Sequence, residues 1–250
     1  MTARELFQAG KLKEAIQALG SELRDNPTDT QRRTFLYELL CFSGDYSRAE
    51  KHLSLLAQAS PDAEVGALLY RSAMMAERKR EAFFDAKDYL KPDQETEVKP
   101  LPGTLNGEPF QTIEDADPRI GPRLEVFVAG EYVWLPFEHL GSLTMEQPRR
   151  LRDLIWSNAV VTAGPALKGK DFGQVLLPVL YAFSWKHPKD SVKLGRETEW
   201  TATEGASEVD AETPAGQKLL LLDGERVVPF LEIRSLEFHT AEPAEAALAN

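Results

Sequence analysis

Cysteine is nearly absent from this 250-residue chain, and Cys41 is the single example. An intramolecular disulfide is therefore impossible, a multi-cysteine zinc site is excluded, and a reducing compartment fits. Histidine is scarce too: His52, His139, His187 and His239 stand in no His-Glu-x-x-His or related ligand spacing. The chain lacks a Gly-x-Ser-x-Gly elbow, a Walker loop and a Gly-x-Gly-x-x-Gly turn after a strand. No catalytic residue, metal or cofactor is predicted. No stretch approaches the roughly 20 apolar residues that span a bilayer, and the start lacks a basic segment leading into an apolar run, so a cytoplasmic protein is expected. Basic residues are outnumbered, 29 Lys and Arg against 40 acids, for a net charge of −11. Nucleic acid and anionic membrane surfaces are disfavoured partners for such a chain, and a basic or apolar protein surface fits better.

What the chain does contain is an internal repeat. Gly10 and Gly44, Leu12 and Tyr46, Ala15 and Ala49, Leu19 and Leu53, and Pro27 and Pro61 are matched pairs, each 34 positions apart. That is the tetratricopeptide period. The residue types suit a helical hairpin, with glycine in the turn, alanine where two helices approach closely, and proline ending the unit. Helix starts are marked by capping-box spacing at Thr2 to Glu5 and Thr28 to Gln31, and by Ser60-Pro61. The second unit is predicted as a helix over Asp29–Ser43, a Gly44-Asp45 turn and a helix over Tyr46–Ala59. The first unit is truncated to about two turns before Gly10. A third begins near Asp62 and runs as one long helix toward Tyr89, with Arg78 where the turn glycine belongs.

Stacked hairpins present their first helices along a concave face, where an amphipathic helix or extended peptide can dock. Repeat position nominates Phe7, Gln31, Thr34, Glu38, Cys41, Phe42, Leu68 and Met75 as groove residues. Alternatively, the rest of the chain fills the groove and these side chains are core between two domains. Cys41, in Leu39-Leu40-Cys41-Phe42, reads as the end of a buried helix face rather than a nucleophile.

The pattern changes after residue 90. Prolines at 92, 100, 102, 109, 118 and 122 mark 91–122 as a turn-rich connection with short extended pieces. From 123 to 250 the chain reads as a second, α+β domain, mainly antiparallel. Arg123–Val128 and Tyr132–Leu135 suggest a hairpin; further strands are expected at Ala159–Ala163, Gln174–Leu177, Glu199–Thr203, Lys218–Leu222 and Val227–Ile233, with Asp223-Gly224 as a hairpin turn. Met145–Trp156 has helical spacing and is expected to form about three turns. Asp115 and Asp117 read as solvated loop acids. Glu197–Glu212, with six acids and no Lys or Arg, reads as a solvated loop, and Glu242–Asn250 as a fraying tail.

Several strings in the second half recur as a set: Trp-x-Pro at Trp134–Pro136, Arg-Asp-Leu-x-Trp at Arg152–Trp156, Leu-Pro-x-Leu-Tyr at Leu177–Tyr181, and Leu-Gly-Arg-x-Thr-x-Trp at Leu194–Trp200. Together with the repeat they resemble the ImpE family, also called TagJ or SciE-type proteins, accessory components of bacterial type VI secretion. One departure is Leu154-Ile-Trp-Ser-Asn-Ala159, where the family pattern has Trp-Arg-Pro-Ala, so that arginine has no counterpart here. The resemblance implies a helical array joined to an α+β domain, a cytoplasmic location, binding of the small sheath subunit TssB, and through it a link to the ATPase ClpV. For Arg196 and Trp200 two readings stand: a partner or ligand pocket, or an arginine paired to an acid beside an aromatic in the core. The adaptor reading competes with an enzyme whose pocket lies between the aromatic strings and with a permanent structural subunit showing a large apolar surface.

Overall fold

Thr2 and Glu5 close the first helix reciprocally: the Glu5 carboxylate accepts from the Thr2 backbone N–H at 2.8 Å, and Thr2 Oγ1 accepts from Glu5 N–H at 3.3 Å. The computed structural model describes residues 1–90, 98–167, 172–202 and 212–239. Within them the repeat folds as five helices, α1 (Ala3–Gln8), α2 (Leu12–Asp25), α3 (Thr30–Phe42), α4 (Tyr46–Ala57) and α5 (Pro61–Asp85). Asp29, one residue later than expected, caps α3 by accepting from Arg32 N–H at 2.9 Å. Asp45 and Ser60 cap the next two helices in the same way. Ala15 and Ala49, the matched alanines, are fully buried where hairpin helices meet. With Arg78 in place of the turn glycine nothing breaks α5, which continues for 25 residues.

The second half is antiparallel throughout its described pairings. Eight strands form one sheet: β1 (Gly103–Leu105), β2 (Glu108–Phe110), β4 (Arg123–Val128), β5 (Glu131–Pro136), β6 (Leu140–Met145), β7 (Trp156–Ala163), β8 (Gly173–Pro178) and β13 (Ser235–Phe238), in the order β2-β1-β13-β6-β7-β8-β4-β5. A three-stranded sheet joins β12 (Arg226–Pro229), β11 (Leu219–Leu222) and β3 (Ile113–Asp115), and β9 (Thr198–Ala202) pairs with β10 (Glu212–Gly216). The β4–β5 hairpin turns on the two-residue loop Ala129-Gly130, both at positive φ as such a loop demands, and β11–β12 turns over Asp223-Gly224-Glu225, the first two at positive φ. Residues 103–115, read as connection, carry three of these strands.

Two local expectations are corrected. Met145–Trp156 is not a three-turn helix: Met145 ends β6, Trp156 begins β7, and only a single 3-10 turn, Leu151–Leu154, lies between them. Pro148 disfavours helical backbone in the residue before it, and the Asp153 carboxylate accepts from the backbone N–H groups of Arg149 and Arg150 at 2.9 and 2.8 Å, fixing a tight turn instead. Asp115 and Asp117 are not solvated. Both are buried, 2 and 1% exposed, and partnered by Lys218 and Arg119. The acidic stretch lies outside the described residues over 203–211, as does the whole of the 242–250 tail.

The sheet packs on the helices through β4 and β5, which lie along α5. Phe83 meets Trp134 edge-on at 4.8 Å and Tyr132 at 5.5 Å between ring centres, and Tyr70 faces Trp156 at 6.4 Å. Buried side chains of the repeat and of the sheet join in one large apolar cluster, and a smaller one around Phe84, Tyr89, Ile120 and Ala182 also spans both.

Candidate partner-binding groove

Between them, α1 and α3 leave an open trough of about 610 Å³. Arg4, Phe7 and Gln8 line it from α1, and Gln31, Thr34, Phe35 and Glu38 line it from α3, one residue per helical turn or its neighbour. Leu151, from the 3-10 turn of the second half, closes one side. Phe7 and Phe35 meet edge-on at 5.6 Å and 87° and stay partly exposed, giving the floor an aromatic centre. At its deep end Glu38 is 8% exposed, and burial raises its carboxyl above the ordinary range against the pull of Arg152, whose guanidinium lies 3.8 Å away. Arg152 in turn stacks 4.6 Å over the Tyr70 ring. The trough therefore offers apolar rings flanked by a cation at one lip, Arg4, and amide and hydroxyl groups along the other. That suits the apolar face of a short helix or peptide with polar edges.

The eight nominated residues separate into three places. Phe7, Gln31, Thr34 and Glu38 share the groove. Cys41 and Phe42, 3 and 2% exposed, face the second half instead, across a cavity of only about 20 Å³ lined by Tyr181, Phe183 and Trp185. Burial pushes the Cys41 thiol far up, out of reach of thiolate chemistry. Leu68 and Met75 lie on the outer face of α5, 55 and 43% exposed. Repeat position missed Arg4, Gln8 and Phe35, which helical spacing around Phe7 and Gln31 could have found. It could not have found Leu151, which arrives from 120 residues beyond Gln31.

Among the described residues Arg196 pairs with no acid, and Trp200 is not in the core, which corrects the reading of an acid-paired arginine beside a core aromatic. The Arg196 guanidinium donates to the carbonyls of Phe7 at 2.7 Å and Gln8 at 2.9 Å, and lies 5.0 Å over the Phe7 ring. It satisfies the open carbonyl end of α1 and holds the groove's shortest helix from behind. Nearby, Asp190, at the start of the short helix α6 (Asp190–Lys193), accepts from Lys13 N–H at 3.3 Å. Trp200 is 42% exposed on β9.

A buried charge network ties α5 to the sheet. Arg80 makes a two-point pair with Glu125, Nε to Oε1 at 2.7 Å and Nη2 to Oε2 at 2.8 Å, and reaches Glu77 at 2.9 Å and the Leu180 carbonyl at 3.0 Å. Lys218 bridges Glu125 and Asp115, Tyr132 donates to Glu125 at 2.7 Å, and Trp156 Nε1 donates to Glu77 at 3.1 Å. Burial alone would raise the Glu125 carboxyl, but the charges of Arg80 and Lys218 and their hydrogen bonds bring it down to about 2. Burial takes Asp115 up to about 6, against the pull of Lys218. No signal in the sequence marked Arg80, Glu125 and Lys218 as neighbours.

Among the described residues no group of three or more His, Cys, Asp or Glu is placed to hold a metal ion, and no helix is long and apolar enough to cross a membrane. The description "ImpE protein" matches the chain over residues 107–237, more than half its length, and a tetratricopeptide-repeat model matches 6–71. The chain belongs to the ImpE family. An ImpE relative from Pseudomonas aeruginosa, named type VI secretion system accessory component TagJ, is 32% identical over 98% of this chain and 93% of its own. The fold is shared with the crystal structure of VPA1032 from Vibrio parahaemolyticus, at a TM-score of 0.80 and 22% identity over 96% of this chain and 98% of that one. The ImpE match covers the strings at 134–136, 152–156, 177–181 and 194–200, while the groove lies almost wholly in the repeat.

Proposed function

We propose that this ImpE chain is an accessory adaptor of type VI secretion, acting in the bacterial cytoplasm by binding rather than by chemistry. Its groove between α1 and α3 holds a short amphipathic segment of the small, TssB-like sheath subunit, and the complex links the contractile sheath to its ClpV-type ATPase. The observation that carries this reading is the open, aromatic-floored groove, lined by Phe7, Gln31, Thr34 and Glu38 and held in shape by Arg196 behind α1. The accessory role given to the Pseudomonas aeruginosa relative supports the placement in secretion.

The test is titration of a labelled N-terminal peptide of the cognate small sheath subunit by fluorescence anisotropy. Wild type is expected to bind saturably near ~1 μM, roughly 8 kcal/mol. Thr34→Arg, at a partly exposed position in mid-groove, is expected to weaken binding at least tenfold. Leu68→Asp, outside the groove, leaves it unchanged. No binding to wild type at ~100 μM sinks the peptide reading.

A further inference from the structure

Of the nine large hydrophobics that stand exposed among the described residues, four lie on α5: Val65 at 68%, Leu68 at 55%, Leu69 at 44% and Met75 at 43%. Their spacing puts them on one side of the helix, between Arg71 and Arg78, which reach Ser54 and Glu50 of α4, and the β4–β5 turn, where Met75 packs against Gly130. In a stack of hairpins this is the face that the next helix covers, and among the described residues no further helix of the repeat covers it. A shallow cavity of about 180 Å³ at its foot, with Leu69 and Ser72 on one wall and Val128 and Val175 on the other, carries the apolar surface onto the sheet. The adaptor groove makes no use of it.

We propose that the outer face of α5 is the interface of a homodimer, in which two copies of the helix pair antiparallel about a two-fold axis beside Arg71 and Ser72. The order of charges along the helix selects a second copy as the occupant. Asp62 and Glu64 precede the apolar stripe, whereas Arg78 and Lys79 follow it. An antiparallel pairing centred on Arg71-Ser72 sets Leu68 of one copy against Met75 of the other, and Glu64 against Lys79, twice over. That is the self-complementarity a closed two-fold contact requires, each residue meeting its counterpart in both directions. Antiparallel alignment also opposes the two helix dipoles favourably. Lys79 and Arg78 each carry one exposed carboxylate already, Glu131 and Glu50, and as multi-donor cations both retain capacity for another. A chain of net charge −11 repels its own copies at long range, and a matched acid and base at each end of the contact offsets that locally.

Sedimentation equilibrium of the full chain between ~1 and ~100 μM tests this. Wild type is expected at twice 27.9 kDa at the upper concentrations. Leu68→Asp, at an exposed position that preserves the fold, is expected to run as a monomer with an unchanged circular dichroism spectrum. Glu64→Lys weakens association at least tenfold, and Glu64→Lys combined with Lys79→Glu recovers it, because the swapped charges face each other again only in this antiparallel pairing. A wild type that stays monomeric at ~100 μM overturns the proposal, as does a Leu68→Asp protein that dimerises like wild type or a double variant that fails to recover. These outcomes are independent of peptide binding, which is read in the groove by anisotropy.

Discussion

Three side chains tie distant parts of this chain together. Arg196 turns a two-turn helix, too short to persist alone, into a fixed wall of the groove by donating to the carbonyls of Phe7 and Gln8. Glu125 collects Arg80, Lys218 and Tyr132 around one buried carboxylate, and Asp115 sits at the outer end of that chain. Asp115 gives a pH-dependent prediction. Its folded value of about 6 lies above the 3.8 of an ordinary aspartate, so the folded state holds the proton more tightly. The stabilisation this gives is fully present below the unfolded value and is lost as pH rises through about 6. The stability of wild type relative to Asp115→Asn is therefore expected to fall between pH 4 and 6.5, by on the order of 3 kcal/mol, and to level off above. Urea melts of both proteins across that range measure it; a difference that is flat with pH contradicts the buried titration.

At the scale of elements, the 34-residue spacing specified the hairpins because each residue in the pattern acts locally: a cap, a turn, or a small side chain at a helix contact. Gly44 does more than turn. Its φ of +71° disfavours any side chain, and a Cβ there would overlap the Trp185 ring, whose indole donates to Glu81 at 2.7 Å. Gly44→Ala is expected to destabilise the protein by about 1–3 kcal/mol through strain and displaced packing, and to shift Trp185 fluorescence toward the solvent-exposed wavelength before global unfolding. Glycine at the matching Gly10 faces only the Arg196 side chain, so Gly10→Ala lacks the second effect. The segment Met145–Trp156 failed as a helix for a reason of the same scale. Its apolar spacing is helical, yet Pro148 and the Asp153 cap bend the backbone locally, and Trp156 is drawn into the core as the first residue of β7.

Across the whole molecule, repeat and sheet share one apolar core with a charged clasp inside it. One cooperative unfolding transition is therefore expected, with far-ultraviolet circular dichroism and tryptophan fluorescence coincident in urea. Arg80→Ala leaves Glu125 and Glu77 buried beside fewer cations and is expected to cost about 3–5 kcal/mol. Separate transitions for helix and sheet in wild type count against the shared core. The sequence by itself determined the repeat, the hairpin turns, most strands and half of the groove, because those depend on caps, glycines and alternation acting within a few residues. Only the tertiary structure decided that Cys41 and Phe42 are covered, that Leu151 closes the groove, that Arg196 serves α1, and that Asp115 is buried. Each of these depends on residues 100 or more positions apart meeting through a packed sheet, and local pattern carries no term for that meeting.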